Sequence, residues 1–388
     1  MIKVALLVFV LLSCVSTSLF NAHPFPDQGP FFEGWYIKTT DFKNNFSIAN
    51  IIAKHLSDTN KNSGYLGFLL ADSLANSQEP MRTFDIFTDG LSYLDCQGKS
   101  IHSNPDLTSP PCLQVLPISN DNSVQGSMKA DSNSIQLLWS IKTQAVDLEY
   151  NLKLTNHTLW SDSGLGPQGI TSLIPKLGLY WYIFSLKSYS EYSLKVNGET
   201  FEGTGFTHVE KNWGDSFPDS WMWAEGMKLN SDGSSVEFAL AGGPKQLGPI
   251  PLSPVLYLVG YRSPNIQWSF HPQDIVSIFD ANHDSCTGEF NITVKNPQNK
   301  LVIQIKADIK SFKNCLYGPS KEEMKPMCLE SFSSLAKIQA YSADNVIEGI
   351  FGDYELLEEV EIPMSALEFG GDYLSPCFSC QSSESFLQ

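Results

Sequence analysis

VDLEYNLKL, at Val146–Leu154, alternates apolar and polar residues at every position. Successive side chains of a strand point to opposite faces, so this pattern places one apolar face on a core and one polar face in water. The same alternation runs through Tyr192, Leu194 and Val196 into Asn197-Gly198. An Asn-Gly pair suits a type I′ turn, which needs positive φ at both central positions, and therefore predicts a hairpin.

Further alternating segments extend this pattern over the chain. Residues 301–309 alternate as a strand does, and this strand is predicted to pair with residues 290–294 across a turn at 296–300. Sustained helical periodicity is almost absent, and one short helix is predicted from Ser320, where Glu323 completes a capping box and Pro326 stops the helix. The sequence therefore predicts an all-β protein, built from antiparallel meanders closed into barrels or sandwiches.

The length of the chain favours two domains, because 388 residues exceed what one hydrophobic core usually organises. A loop rich in Gly, Pro and Ser at 161–176 and a change of composition at 189–198 place a boundary near residue 195. We therefore expect domains at 19–195 and 196–374. A serine-rich tail follows at 375–388.

The first eighteen residues have the features of a secretory signal peptide: Lys3, an apolar run and small residues near Ser18. The mature protein is expected to be secreted or held in the secretory or endolysosomal pathway, without stable membrane insertion. A formal net charge of -17 argues against nucleic acid and anionic membranes as binding partners, because both are negatively charged and are bound through Lys and Arg. The sequence leaves the oligomeric state open.

Cysteines and sequons add to the expectation of export. We predict disulfides Cys96–Cys112 and Cys315–Cys328, each closing a short loop, with one thiol left over because the mature chain has an odd number of cysteines. Glycosylation sequons begin at Asn45, Asn156 and Asn291. The predicted protein is thus a disulfide-bonded glycoprotein.

Three matches to familiar motifs lack the surrounding sequence that the motif requires. The G-x-G-x-x-G match at 164–169 lies in a polar loop and contains Pro167, so it does not predict a dinucleotide site. The C-x-x-C match at 377–380 lies near the terminus and has no second pair for a zinc site, which favours disulfide chemistry. The histidines are scattered without metal-ligand spacing. We therefore predict no metal and no cofactor.

Two stretches combine aromatic rings and carboxylates. In FFEGWYIK at 31–38, a strand places Glu33 and Trp35 on one face, and Gly34 leaves room for a neighbouring segment. In EKNWGDSFPDSWMW at 210–223, Trp221 and Trp223 share a strand face with Glu225 beyond the quoted letters. The turn at 214–218 can bring the rings on either side of it together. Both stretches can build a wall that is aromatic and acidic.

These two motifs resemble the tocopherol cyclase family and, more distantly, carotenoid 1,2-hydratases and lipocalin-like Diels-Alderases. The resemblance implies two lipocalin-like antiparallel β-barrel or sandwich domains. It also implies closure of a chroman ring on a hydrophobic prenylated quinol or related polyene, by protonation of an alkene and attack of a phenolic oxygen.

Such chemistry needs a carboxylic acid kept protonated by apolar surroundings, rings that stabilise a developing cation, and a pocket that folds the prenyl chain. The candidate acids are Glu33, Glu210, Asp215 and Glu225. The candidate substrate-binding residues are Trp35, Tyr36, Asn212, Trp213, Phe217, Trp221 and Trp223.

Simpler roles stay open for the same residues. The tryptophans can be core rings, and Glu33 or Glu210 can accept backbone hydrogen bonds or pair with Lys38 or Lys211. The alternative function is a secreted non-catalytic carrier of hydrophobic small molecules, and a third is a structural extracellular protein. A neutral carboxyl group inside an aromatic pocket favours the enzyme, whereas a paired one favours the carrier.

Overall fold

The computed structural model describes residues 18–72, 81–101, 111–120, 122–160, 165–174, 177–244, 255–271, 274 and 276–380. The predicted signal peptide before Ser18, residues 161–164 and 175–176 of the predicted loop, and residues 381–388 of the predicted tail lie outside these ranges. The chain divides into two compact units. The first comprises residues up to Leu70, Thr83–Phe217 and Pro319–Met324, and the second comprises Ala71–Arg82, Pro218–Gly318 and residues from Lys325 onward.

The first unit is built on one antiparallel sheet of eleven strands that curls into a nearly closed barrel. The strand order is β4-β3-β2-β1-β11-β10-β9-β8-β7-β6-β5. The strands are β1 Phe31–Asp41, β2 Phe46–Leu56, β3 Asn62–Asp72, β4 Arg82–Thr88, β5 Gly90–Leu94, β6 Leu113–Ile118, β7 Val124–Ala130, β8 Ile135–Lys142, β9 Asp147–Thr158, β10 Leu179–Val196 and β11 Glu199–Gly214. Short 3-10 turns lie at Ser18–Phe20 and Gly169–Leu173.

The alternation at 146–154 is borne out in β9. Its residues are alternately exposed and buried, and the buried side chains Leu148, Tyr150, Leu152 and Leu154 belong to the barrel core. The predicted hairpin is also confirmed: Asn197 has φ 48° and Gly198 has φ 88° between β10 and β11. Residue 195 lies near the end of β10, inside this hairpin, and the whole hairpin belongs to the first unit.

The second unit is built on an antiparallel sheet of ten strands, ordered β15-β14-β13-β12-β21-β20-β18-β17-β16, with β19 beside β20. The strands are β12 Ser220–Leu229, β13 Ser235–Pro244, β14 Val255–Arg262, β15 Gln267–Phe270, β16 Ile278–Asp284, β17 Glu289–Lys295, β18 Asn299–Lys306, β19 Cys315–Pro319, β20 Met324–Ser342 and β21 Glu355–Gly371. A single-turn helix, α1 (Val346–Phe351), joins β20 to β21, and 3-10 turns lie at Ile309–Ser311 and Asp372–Leu374. The predicted all-β antiparallel architecture is confirmed in both units.

The predicted strand pair in this unit is confirmed, because β17 and β18 pair antiparallel. The helix predicted at Ser320 is wrong. The Ser320 hydroxyl does accept the backbone N–H of Glu323 at 3.0 Å, as a helix cap would. The chain nevertheless enters β20 at Met324, since a capping side chain closes a tight turn between β19 and β20 equally well.

Three disulfides connect the described cysteines: Cys96–Cys112, Cys286–Cys377 and Cys315–Cys380. The first of these confirms the prediction. The predicted bond Cys315–Cys328 is wrong, because Cys315 pairs with Cys380 and the Cys328 thiol is free and buried. Short sequence separation favoured Cys328, whereas the fold closes a loop of 65 residues.

Candidate functional site

The two motifs are neighbours in the first barrel, because β1 pairs with β11. Glu33 lies opposite Trp213, and Trp35 lies opposite Lys211. These four side chains share the inward face, and Trp35 and Trp213 belong to the barrel core. Gly34 provides the close approach expected of it, since a Cβ at this position would lie 3.0 Å from the Cβ of Ala53 on β2.

The centre of the inward face is an ion pair. Lys211 Nζ lies 2.7 Å from Glu33 Oε1, and neither side chain is exposed to solvent. The Lys211 ammonium also lies 4.7 Å from the ring centre of Trp213 and 5.4 Å from that of Trp35. The pairing of Glu33 with Lys211, one of the alternatives that the sequence left open, is therefore what the structure contains.

The segment before β1 enters the barrel and completes the coordination of this ammonium. Lys211 Nζ donates to the carbonyl oxygens of Asn21 at 2.5 Å and Leu19 at 3.2 Å. Trp35 Nε1 donates to the carbonyl oxygen of Phe20 at 3.2 Å. Leu19 and Phe20 are buried in the core, so this segment fills the interior beside the ion pair.

His23 closes the cluster. Its backbone N–H donates to Glu33 Oε1 at 3.1 Å, and its ring Nδ1 lies 2.7 Å from the same oxygen. Lys211 Nζ is 3.2 Å from Nδ1, but the three ammonium protons are already directed at Glu33, Asn21 and Leu19. Nδ1 therefore carries the proton and donates to Glu33, which leaves Nε2 with a lone pair.

The electrostatics follow from burial and from these contacts. Burial alone would raise the pKa of Glu33, but the Lys211 charge and the His23 hydrogen bond outweigh it and hold that pKa below its usual value. Burial, reinforced by the Lys211 charge, lowers the pKa of His23 below 6.5. Burial also lowers the pKa of Lys211, against the attraction of Glu33. At neutral pH the cluster holds a carboxylate and a neutral imidazole.

Aromatic rings surround the polar cluster. Trp213 lies between His23 and Tyr180, with ring centres 5.0 Å and 4.9 Å away, and it is parallel to Tyr180 within 5°. Trp35 meets Tyr93 edge to face at 5.6 Å. The Tyr93 hydroxyl is buried and finds no hydrogen-bond partner within the described ranges. Burial, followed by the charge of Glu33, raises the pKa of Tyr93, so its hydroxyl stays a donor.

Other candidates on these strands lie on the opposite face of the sheet. Glu210 is buried there, where Oε2 lies 3.1 Å from His208 Nε2 and Oε1 accepts from Asn212 Nδ2 at 3.2 Å. Tyr36 lies opposite Glu210 on the neighbouring strand. The structure thus separates Glu210, Asn212 and Tyr36 from the interior cluster by the thickness of the sheet.

The rest of the second motif is divided between the units. Asp215 is exposed after β11, and the ring of Phe217 packs edge to face against Phe32 at 5.3 Å within the first unit. The last three candidates of the motif lie on β12 of the second unit: Trp221, Trp223 and Glu225.

These three β12 side chains share one face, as predicted, while Met222 points into the core of the second unit. All three are buried. Trp221 Nε1 donates to the Glu368 side chain of β21, and this hydrogen bond ties the ring to the sheet.

Sequence reasoning missed His23, Tyr93 and Tyr180, and it assigned Lys211 only a pairing role. Lys211 could have been placed, because strand alternation puts it on the face of Trp213. His23 comes ten residues before Glu33, in a segment without strand periodicity, so no local pattern marks it. Tyr180 pairs with Trp213 across the β10–β11 hairpin, whereas Tyr93 on β5 reaches the site only through the closure of the barrel.

Within the described ranges, no group of three or more His, Cys, Asp or Glu side chains is arranged to hold a metal ion. The same part of the chain contains no helix with the length and hydropathy needed to cross a bilayer.

Comparison with known proteins places the chain among relatives of one kind. The family model described as tocopherol cyclase-like matches residues 29–371. A chloroplast tocopherol cyclase from Zea mays is 23% identical over 376 residues, covering 88% of this chain and 75% of the maize protein. A chloroplast protein described as a probable tocopherol cyclase from Oryza sativa subsp. japonica is 23% identical over 205 residues, which is 52% of this chain and 42% of the rice protein.

Among solved structures, the crystal structure of an AttH protein from Nitrosomonas europaea aligns with 91% of this chain and 95% of its own. The TM-score is 0.47 and the sequence identity is 11%.

Proposed function

Because the chain belongs to the tocopherol cyclase-like family, we propose that it catalyses ring closure on a prenylated aromatic alcohol within the first barrel. The family supports cyclase-like chemistry, and the hydrophobic prenylated substrate and the roles below are part of the proposal. The observation that carries it is the His23–Glu33 pair, which places an oriented imidazole between a buried carboxylate and the ring of Trp213.

His23 is proposed as the residue that moves the proton. Its Nε2 takes the proton of the phenolic hydroxyl and delivers it to the alkene, while the phenolic oxygen bonds to the tertiary carbon. One O–H bond and one π bond break, one C–H and one C–O bond form, and the neutral imidazole is restored. A lowered pKa makes the protonated His23 a stronger acid, and the Glu33 carboxylate stabilises that imidazolium while it exists.

This assignment changes the part proposed for Glu33. With Lys211 at 2.7 Å, Glu33 is a carboxylate that orients His23 and needs no proton of its own. The other three candidate acids lie outside the interior cluster and have no part in the proposed proton transfer: Glu210, Asp215 and Glu225. His23 is also the member of the ion-paired cluster with a partly exposed side chain, at 21%, so substrate reaches the cluster from its side.

The rings and Tyr93 complete the proposed machinery. Trp35 and Trp213 already accept a cation, the Lys211 ammonium, against their faces, and a carbocation beside them gains about 0.5–2 kcal/mol per ring. Proton transfer by His23 contributes roughly 10²–10⁴ in rate. The Tyr93 hydroxyl is proposed to donate to a second oxygen of the substrate. Holding a flexible prenyl chain in its folded form supplies on the order of 7–11 kcal/mol, so the shape of the barrel dominates.

The product is proposed to differ from tocopherol, since the sequence features of an exported, disulfide-bonded chain do not fit a plastid enzyme. Secretion is part of this proposal.

One observation favours a second function, that of a carrier. A carboxylate neutralised by Lys211 and tied to the backbone of His23 is what a non-catalytic barrel would contain. A carrier would bind the same prenylated aromatic compounds and release them unchanged.

The test is incubation of the folded protein with a prenylated hydroquinone, with the chroman followed by liquid chromatography and mass spectrometry. His23→Asn is expected to lose at least about a hundredfold in kcat, and Glu33→Gln to lose less while shifting the acidic limb of the pH–rate profile. Glu210→Gln, on the other face of the sheet, is the matched control. Full activity of His23→Asn would overturn the mechanism, and binding without product in the unaltered protein would establish the carrier.

A further inference from the structure

The helix α1 has an inverted pattern of burial. Its four large apolar side chains are exposed: Val346 at 46%, Ile347 and Ile350 at 67%, and Phe351 at 80%. The residue that it buries is Gly349. A surface helix normally turns its apolar stripe to the core, so an arrangement that does the opposite indicates a use for the exposed stripe.

The arrangement is fixed by local contacts. The Asn345 side chain accepts the backbone N–H groups of Ile347 and Glu348 at 3.1 Å each, and Gly352 ends the helix with φ 91°. A Cβ on Gly349 would lie 1.8 Å from the carbonyl oxygen of Pro297, so the glycine lets the helix backbone sit directly on the turn between β17 and β18. With its glycine side held there, the helix must present its apolar side chains to solvent.

Two further apolar side chains are exposed at the start of β21. Leu356 and Leu357 are 52% and 54% exposed, and we call these two residues together with the four of α1 the apolar tip. The tip lies at the end of the β20–β21 hairpin. Tyr354 Oη donates to the carbonyl oxygen of Asn296 at 2.7 Å and fastens the hairpin end to the same turn.

The size of the apolar tip argues against a stable dimer. A stable protein interface takes about 20–30 residues a side, whereas the tip offers six side chains. Binding to a lipid surface scales with the apolar area that is inserted, so a small apolar surface is matched to weak, reversible attachment.

The charges around the apolar tip indicate which lipid headgroups it can approach. The acidic residues Asp344, Glu348, Asp353 and Glu355 flank or interrupt the apolar side chains. Carboxylates at this position are repelled by anionic headgroups, while a zwitterionic surface has no net charge to repel them.

We propose that the apolar tip docks the protein reversibly on membranes of neutral, zwitterionic lipid, with Ile347, Ile350 and Phe351 inserted. This inference rests on the exposed helix and does not require the reaction proposed above. The two fit together, because a prenylated substrate partitions into bilayers.

The test is flotation of the full chain with phosphatidylcholine vesicles. I350S/F351S is expected to lower the membrane–water partition coefficient at least about tenfold. The variant loses the free energy gained when two apolar side chains move from water into the bilayer. The matched control is V276S/I278S, which removes two side chains of similar exposure, 56% and 57%, elsewhere on the same unit. Vesicles containing phosphatidylserine should bind the protein less well than phosphatidylcholine alone.

Equal flotation of I350S/F351S and the unaltered protein would overturn the proposal. So would the absence of flotation together with concentration-dependent self-association that I350S/F351S abolishes, which would make the tip a protein interface. Circular dichroism verifies that each variant is folded. Turnover is not part of the readout, so failure here is distinguishable from failure of the proposed reaction.

Discussion

Lys211 and Glu33 form an ion pair at 2.7 Å in which both side chains are fully buried. Such a pair is poor evidence of net stabilisation, because desolvation of two charges offsets much of their attraction. Its effect is on arrangement: Lys211 holds two carbonyl oxygens of the segment at 19–21, and Glu33 holds His23. The pair therefore fixes the chain before β1 inside the barrel.

Breaking one side of this pair should be costly. Lys211→Met leaves the Glu33 carboxylate buried without its cation, and we expect a loss of about 3–5 kcal/mol in the free energy of unfolding. Adding Glu33→Leu removes the stranded charge, so the double variant should be more stable than Lys211→Met alone. Urea denaturation of the two single variants and the double variant measures the coupling.

Additivity of the two single effects would contradict the coupling. A conservative control is Lys228→Met on β12, since its side chain is only half-buried and is not within a salt bridge that the described structure contains.

Acid should destabilise the fold through its buried histidines. Burial is the main cause that lowers the pKa of His23, His55, His157 and His283 below 6.5. A lowered pKa means that the unfolded chain binds more protons, so the free energy of unfolding falls as the pH drops below about 6.5. Glu33, whose pKa is also lowered, adds a further loss below about 4.5.

Urea denaturation at pH 7.5, 6.0 and 5.0 measures this dependence. His23→Gln should flatten it between pH 6.5 and 5.0, because one of the four contributions is removed. A free energy of unfolding that stays level or rises toward pH 5.0 would contradict the prediction.

The sequence predicted the features that depend on neighbouring residues, and it failed for features that depend on residues far apart in the chain. The alternation in β9 and the Asn197-Gly198 turn are local signals, and both predictions are confirmed. The Cys315–Cys380 bond depends on where a distant terminus returns, so short separation misled the pairing. At the site, alternation placed Glu33 and Trp35 on one face of β1 and Glu210 on the face of β11 opposite Trp213. It could not reveal which face of β11 shares the interior with Glu33, because that depends on the pairing of β1 with β11.

His23 could not be found by pattern because its role depends on a segment without strand periodicity. Its position comes from the carbonyl oxygens of Leu19 and Asn21, which bind Lys211 nearly two hundred residues later in the chain. Strand patterns specify faces, whereas contacts of this range depend on how the barrel closes.

The cysteine arrangement can be checked directly. Peptide mapping without reduction should recover Cys315 joined to Cys380 and Cys286 joined to Cys377. Burial is the main cause that raises the pKa of the Cys328 thiol well above its usual value, so this thiol should resist iodoacetamide in the folded protein and react after denaturation. Rapid alkylation of Cys328 under native conditions would contradict its burial, and its recovery in a bond to Cys315 would contradict the pairing.

Within the second motif, β11 ends at Gly214. This residue has φ 149°, and a Cβ there would lie 2.2 Å from the carbonyl oxygen of Gly178. Gly198 also has positive φ, but its Cβ would meet nothing within 4 Å. Gly198→Ala should therefore lose only about 1–2 kcal/mol from backbone strain, whereas Gly214→Ala adds a clash with rigid backbone and should lose distinctly more. Thermal denaturation of both variants compares them, and equal losses would mean that the backbone around Gly178 yields.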